Sequence, residues 1–208
     1  MPTIRLPERA QYRFGLAALI GAAGVLGFAP FGLFWLAPLA WFGLFALLRR
    51  AGSPREAALT GLLFGFGFFL SGVSWVYVSL SVFGGMPWWL AGIAAFLFCA
   101  VMAIFPLLAG WCFKRWQPAA PWRQALFFAA LIAAVDWLRS WIFTGFPWLV
   151  VGYSQAPPSP LAGFAPVLGV HGLSLLVALA GALLLRWRVG VGFLALAVLS
   201  GLALQQVS

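Results

Sequence analysis

Charged residues are scarce in this chain of 208 residues, where they make up 7% of the sequence against about 25% in soluble globular proteins. Only 3 residues are acidic, whereas hydrophobic residues reach 64% and the mean hydropathy is +1.06. A chain with so little polar surface cannot cover a soluble core. The scarcity of charge excludes an ordinary soluble domain and indicates that lipid is the main solvent.

Residues for redox and metal chemistry are also few. The 2 cysteines, Cys99 and Cys112, fall on different faces of one apolar run, so neither a disulfide framework nor a metal site is predicted. The 12 basic residues give a net charge of +9 but do not cluster on a soluble face. Nucleic acid is therefore not an expected partner. No cofactor is predicted either.

Apolar segments separated by charged, proline-rich and glycine-rich connections predict an all-α, polytopic bundle of about seven transmembrane helices. Most segments approach the ~20 residues that a helix needs to cross the hydrocarbon core. The predicted spans are 14–29, 31–48, 57–80, 88–113, 124–143, 161–185 and 189–204. Residues 1–208 together form one membrane domain. A signal peptide is the alternative for the first segment, which Pro30 directly after Ala29 disfavours.

The basic residues predict the orientation of these spans. Except for Arg139, every Lys and Arg, beginning with Arg5, Arg9 and Arg13, lies before the first span or in alternate connections between spans. The remaining connections contain no Lys or Arg. Because short cytoplasmic loops collect these residues, we expect a cytoplasmic N-terminus, seven crossings and a periplasmic C-terminus.

Asp136 and Arg139 are ionisable residues inside a predicted span. A charge at that depth costs about 2.5 to 3.5 kcal/mol, so each needs a partner or a function. At positions i and i+3 they share a helical face and can form an ion pair. Spacing alone favours a pair that joins neighbouring helices. The alternative is an outward-facing polar pocket in which Arg139 binds a lipid phosphate.

Residues 144–160 predict an interfacial or re-entrant segment, because Gly145 and Pro147 stop the preceding helix. Such backbone is tolerated at membrane depth only where protein or water satisfies it. An aromatic belt at headgroup level explains its tryptophans. It explains the polar cluster at 153–155 less well, and this cluster is a candidate binding surface.

A second candidate element on the same side is residues 74–79 with the turn at 83–87. Tyr77 and Ser79 are its candidates for contact with a lipid headgroup. Before it, Gly61 and Gly65 are spaced four apart, and we expect them to be packing positions because small residues let helices approach closely.

No self-sufficient active site is predicted, and no catalytic residue is assigned. Asp136, His171 and Ser174 have the composition of a hydrolase triad, but nothing resembling a nucleophile elbow surrounds Ser174. We expect His171 to be a structural histidine that a neighbour satisfies. The one lysine, Lys114, is separated from Asp136 by the predicted bilayer, which excludes a carboxylate, lysine and cysteine set.

The order of these motifs resembles apolipoprotein N-acyltransferase, a bacterial inner-membrane enzyme family of lipoprotein maturation. The most specific motifs are Thr-Gly-Phe-Pro-Trp at 144–148 and Gly-Tyr-Ser-Gln at 152–155. The other matching stretches are 27–31, 65–69, 74–79, 83–87, 137–141, 160–163 and 165–170. The resemblance covers nearly the whole chain. Where the family usually has Glu, this chain has Asp136.

The resemblance implies a two-step acyl transfer between lipids. A cysteine thiolate attacks a phospholipid ester and forms a thioester, and the N-terminal cysteine amine of a diacylglyceryl lipoprotein then takes the acyl group. The membrane region would admit both lipids and hold them near the outer surface. The expected substrate-binding residues are Asp136, Arg139, Thr144, Trp148, Tyr153, Gln155, Trp75 and Tyr77.

In the family, a periplasmic nitrilase-like domain supplies a Glu, Lys and Cys triad, and this domain does not occur among the 208 residues. We therefore expect a fragment of the enzyme that is inactive alone. A split enzyme with a nitrilase-like polypeptide in trans is a second hypothesis. A lipid-binding or transport protein gated by Asp136 and Arg139, and a purely structural membrane subunit, are the others. The expected location is the bacterial inner membrane.

Overall fold

The computed structural model describes residues 8–206, with side chains from residue 11 onward. Throughout this part of the chain the secondary structure is helical, which confirms the predicted all-α class. The orientation prediction also rests on Arg5 and on the side chain of Arg9, which lie outside the described residues.

The α-helices lie close to the predicted segments. They are α1 Glu8–Gly24, α2 Leu36–Arg50, α3 Pro54–Gly72, α4 Trp75–Val78, α5 Trp88–Met102, α6 Ile104–Arg115, α7 Pro121–Arg139, α8 Ala165–Leu183 and α9 Trp187–Gln205. A π-helical turn, Ser79–Phe83, continues α4. Short 3-10 helices occupy Val25–Gly27, Ile142–Thr144, Val151–Gln155, Pro160–Phe164 and Leu184–Arg186.

Local chemistry explains several helix boundaries. The Ser53 hydroxyl caps α3 by accepting a hydrogen bond from the Glu56 N–H at 3.2 Å, and Pro54 occupies the first turn, where its missing N–H costs nothing. Helices α5 and α6 meet at a break at Ala103. Pro106 explains this break because it cannot donate to the carbonyl four residues earlier.

At two places a turn in the backbone separates the helix boundary from the boundary of the predicted segment. The segment predicted from residue 31 becomes helical only at Leu36, because Gly32 has a φ of +65° within a turn closed by its N–H on the Phe28 carbonyl at 2.9 Å. The helix predicted to reach residue 143 ends at Arg139, and Phe143 has a φ of 51°. Apolar composition alone does not reveal these turns.

Within residues 8–206, two helical stretches are long and apolar enough to cross a membrane. These are Trp88–Arg115, with 28 residues, and Pro160–Gln205, with 46 residues. A third arises if Pro54–Gly72 and Trp75–Phe83, which meet at a bend of 50°, are counted as one span. These features are those of a membrane protein.

The second of these stretches reverses direction near Arg186, whose backbone is not helical (φ −108°, ψ 75°). The end of α9 consequently returns to the start of α8, where the Gln205 amide donates to the Ser159 carbonyl at 3.1 Å. Gly163 and Gly201 lie against each other's segments so closely that a Cβ on either would meet backbone. The stretch is a helical hairpin.

Helix α3 packs closely against α6. A Cβ on Gly65 would lie 2.8 Å from Pro106 Cγ, and one on Gly61 would meet the Pro106 carbonyl. The structure thus confirms both glycines as packing positions. The aromatic core beside them includes Trp41, Phe45, Phe64, Phe68, Phe113 and Phe128.

The bundle has two chemically different ends. The basic end consists of the connections 51–53, 116–120 and 184–186 with the basic residues beside them, and Arg13 bonds there to the Arg50 carbonyl at 2.6 Å. The loop end consists of the connections 25–35, 73–87 and 140–164, which contain no charged residue. The candidate site lies at the loop end.

Candidate functional site

Asp136 and Arg139 lie buried in the last turn of α7, beneath the loop end. Their side chains form an ion pair of 3.1 Å between Arg139 Nη2 and Asp136 Oδ1, as the spacing predicts. Asp136 is 6% exposed and Arg139 is 2% exposed. Because a buried charge requires nearly complete pairing, the other donors and acceptors of the pair determine its role.

Arg139 directs its second terminal nitrogen to the backbone of the following connection. Nη1 donates to the carbonyls of Phe146 and Trp148, each at 2.6 Å. The guanidinium also lies over the Phe69 ring, 5.2 Å from its centroid. These contacts favour the interpretation in which Arg139 holds neighbouring segments together. Direct binding of a lipid phosphate stays a prediction.

Asp136 binds the same connection, 140–164, through its second carboxylate oxygen. Oδ2 accepts from the Val151 N–H at 2.8 Å and from the Ser174 hydroxyl at 2.9 Å. Ser174 Oγ in turn accepts from the Gly152 N–H at 2.9 Å. Asp136, Arg139 and Ser174 therefore fix residues 146–152, which lead from an irregular stretch into the 3-10 helix Val151–Gln155, to α7 and α8. We call these three side chains the buried polar network.

Ser174 is the member that sequence reasoning missed. It is completely buried, and its hydroxyl is committed to Asp136 and Gly152, so it is a positioning residue and not an exposed nucleophile. The expectation that His171 is satisfied is wrong, because its buried Nδ1 has no hydrogen-bond partner among the described residues. A serine in the apolar run of α8 was the available signal for a buried polar contact.

Gln155 is buried beneath the loop end, with 2% of its surface exposed. Its amide nitrogen donates to the Phe34 carbonyl at 3.2 Å and to Ser154 Oγ at 2.9 Å. Its amide oxygen accepts from the Ser159 hydroxyl at 2.7 Å. These bonds join the connection 140–164 to the connection 25–35. Gln155 is thus placed to position backbone, and substrate contact by it stays a prediction.

Trp148 links the connection 140–164 to the start of the connection 73–87. Its indole N–H donates to the Gly72 carbonyl at 3.3 Å, and its ring lies 5.1 Å from that of Trp75. Both tryptophans are exposed in part. They form an aromatic surface where the end of α3 meets residues 146–150.

An apolar cavity of about 520 Å³ opens beside this surface. It is lined by Phe28, Ala29, Phe146, Pro147, Trp148, Leu149, Tyr153 and Ala156. The Tyr153 hydroxyl and the Trp148 indole are the polar side-chain groups of this lining. A pocket with apolar walls and few polar groups suits a hydrocarbon chain better than a sugar or a nucleotide.

Two predicted residues lie apart from this cavity. Tyr77 lines a separate pocket of about 500 Å³ with Trp88, Trp89, Gly92, Ile93, Phe96 and Leu97. Thr144 is exposed in a backbone conformation with a φ of 75°, and its hydroxyl has no hydrogen-bond partner among the residues described. The structure therefore brings Trp75, Trp148 and Tyr153 together above the buried polar network.

Comparison with known proteins identifies the family of this chain. Residues 20–183 match the family model of the apolipoprotein N-acyltransferase N-terminal domain. An apolipoprotein N-acyltransferase from Nitrosomonas europaea is 52% identical over 177 residues, which cover 85% of this chain and 35% of that protein. One from Chromobacterium violaceum is 41% identical over 197 residues, covering 91% of this chain and 38% of the relative.

The matched region includes the buried polar network and the cavity. In Ralstonia nicotianae, a further apolipoprotein N-acyltransferase is 42% identical over 196 residues, covering 88% of this chain and 37% of that protein. The chain thus spans a little over a third of the length of these curated relatives. With a family model matching most of its length, the chain belongs to the apolipoprotein N-acyltransferase family.

Proposed function

We propose that this chain is the membrane part of an apolipoprotein N-acyltransferase, which transfers an acyl chain from a phospholipid to the N-terminal cysteine amine of a diacylglyceryl lipoprotein. The observation that carries the proposal is the support of residues 146–152 by the buried polar network. This support holds Trp148 at the edge of an apolar cavity of about 520 Å³. Family membership supplies the reaction class.

In this proposal the chain crosses the inner membrane seven times, with its N-terminus in the cytoplasm and its last helix ending at the periplasmic side. The helical hairpin of α8 and α9 supports two crossings within the stretch of 46 residues. The concentration of Lys and Arg at the basic end supports a cytoplasmic location for that end.

The proposed roles divide between lipid binding and positioning. The cavity takes an acyl chain, while the Tyr153 hydroxyl and the Trp148 indole meet polar headgroup atoms at its mouth. Arg139, Asp136 and Ser174 act indirectly by holding residues 146–152 in place. A cysteine thiolate from a nitrilase-like domain, in the same protein or in trans, attacks the donor ester and releases a lysophospholipid. The lipoprotein amine then attacks the thioester and regenerates the thiol.

Complementation of a bacterium depleted of apolipoprotein N-acyltransferase tests this division. We expect the 208 residues alone not to restore growth, and the same residues joined to the nitrilase-like domain of a relative to restore it. Growth with the chain alone would contradict the assignment of catalysis to another domain. Lipid movement by the purified chain, with no acyl transfer by the fusion, would support a lipid transporter instead.

Substitutions in the active fusion test the site. We expect Trp148→Ala and Tyr153→Ala each to lower kcat/KM about tenfold or more, which corresponds to about 1.4 kcal/mol of lost binding. Trp187→Ala, which removes an exposed tryptophan from the basic end, is the matched control. Arg139→Gln with unchanged turnover and lipid affinity would eliminate any role for Arg139.

A further inference from the structure

The basic end carries positive charge that its own contacts do not balance. Among the described side chains, Glu56 is the one carboxylate there. It already pairs with Arg13 and accepts from the Gly52 N–H at 2.6 Å. Arg49 and Lys114 have no acidic partner among the described residues. Cations at the edge of a membrane with unused donors attract anions from the lipid surface.

Arg49 and Lys114 are both partly buried, and their side chains are fixed by hydrogen bonds to neighbouring segments. The Lys114 ammonium donates to the Arg49 carbonyl at 3.2 Å, and Arg49 Nε donates to the amide oxygen of Gln124 at 2.8 Å. Gln124 is itself buried and is fixed by donation to the Pro118 carbonyl at 2.8 Å. We call Arg49, Lys114 and Gln124 the cation recess.

Most donors of the two cations remain unused. A guanidinium has five N–H donors and an ammonium three, and each cation makes one side-chain hydrogen bond within the described chain. Both residues lie in the last turns of their helices, where positive charge is favourable. That placement explains single exposed cations. It does not explain two partly buried cations whose remaining donors have no partner among the described residues.

Aromatic side chains lie near the recess on the same helix as Lys114. Trp111 and Trp116 are exposed and contact each other edge to face, with their ring centroids 5.5 Å apart. Tryptophans of this kind occupy the level of lipid headgroups. Exposed Leu108 lies one turn deeper on α6, where acyl chains would continue. Cations, interfacial rings and an apolar flank together match a phospholipid and not a soluble anion.

We propose that the cation recess binds the phosphodiester of an anionic glycerophospholipid from the leaflet at the basic end. Arg49 donates through its terminal nitrogens and Lys114 through its free ammonium hydrogens. The acyl chains lie along the exposed face of α6. This site is separate from the proposed acyl-transfer site, because it lies at the opposite end of the bundle and involves no bond breaking.

The test measures binding of phosphatidylglycerol to the purified chain in a neutral detergent at about 0.3 M salt, where exposed charges are largely screened. The variant is Arg49→Gln with Lys114→Gln. The matched control, Arg55→Gln with Arg123→Gln, removes the same charge from exposed positions at the same end. At roughly fivefold per cation, we expect a loss of about 30-fold for the first pair and less than about fivefold for the control.

Three outcomes would overturn the site. Equal losses in both pairs would mean that a diffuse surface potential attracts the lipid. Equally tight binding of phosphatidylcholine would remove the requirement for an anionic headgroup. Glycerol 3-phosphate binding as tightly as the lipid would identify a soluble phosphate as the ligand. Circular dichroism checks that helix content is retained, and Lys114→Gln alone, with an expected loss of about fivefold, replaces the pair if it does not fold.

Discussion

At the basic end the connections between helices are short and most of the basic side chains are exposed, whereas at the loop end the connections are long and uncharged and the buried polar network lies beneath them. At the basic end, single side chains such as Lys114 and Gln124 donate to carbonyls at a helix end or in a short turn. At the loop end, side chains of α7 and α8 bind the backbone of residues 146–152, which is irregular up to Val150. Charge is therefore mostly exposed at one end, and at the other it supports residues 146–152 through a buried ion pair.

The largest difference between the two ends is expected when one partner of the buried ion pair is removed. Arg139→Gln leaves the Asp136 carboxylate buried without its cation, and we expect a loss of about 3 to 5 kcal/mol in the free energy of unfolding. Denaturant titration in detergent, followed by near-UV circular dichroism, measures it.

The matched double variant, Asp136→Asn with Arg139→Gln, removes both charges. We expect it to lose less stability than the sum of the two single variants, because no uncompensated charge remains. If Arg139→Gln were no more damaging than Arg123→Gln at the basic end, the two ends would not differ in the way described.

Removing the Ser174 hydroxyl is the next largest change. Ser174→Ala leaves the buried Gly152 N–H without an acceptor and removes one donor from Asp136, so we expect a loss of about 1 to 3 kcal/mol in unfolding free energy. Ser140→Ala is the control, because the Asp136 carbonyl that its hydroxyl contacts also accepts from the Ser140 N–H. Similar losses in both variants would argue against a special role for Ser174.

Trp148→Phe tests a weaker link between two connections of the loop end. It keeps the aromatic contact with Trp75 but removes the indole donor to the Gly72 carbonyl. Because this bond is partly exposed, we expect a loss of about 0.5 to 1 kcal/mol in thermal unfolding measurements. Trp141→Phe, an exposed change without such a bond, serves for comparison. A larger loss in the control would contradict the assignment.

The smallest effect is expected at the basic end. Arg123→Gln removes an exposed guanidinium that lies over the Trp122 ring, 5.1 Å from its centroid. We expect less than about 1 kcal/mol of change in unfolding free energy, since exposed cation contacts contribute little. A loss as large as that of Ser174→Ala would show that the exposed charges also carry stability.

Periodicity and spacing predicted what is local in this molecule. The i and i+3 spacing of Asp136 and Arg139 led to their ion pair, and the spacing of Gly61 and Gly65 led to the contact with α6. The resemblance led to the family. Each of these inferences needs only residues on one helix face or a contiguous motif.

Contacts between distant segments could not be read in this way. The Ser174 hydroxyl meets Asp136 only because α8 returns beside α7, and the Gln155 amide meets Phe34 only because two connections fold together. The start of α2 at Leu36 was missed for a related reason. Apolar residues such as Phe31 continue through a turn that Gly32 imposes by its backbone conformation.

The contact of α3 with α6 limits how the loop end can move. With Gly61 and Gly65 in close contact with Pro106, sliding or rotation of α3 against α6 would bring atoms of the two helices into collision. The 50° bend that follows α3 is the remaining joint. Motion of the connection 73–87 is thereby reduced to rotation about that bend, while α3 stays in place.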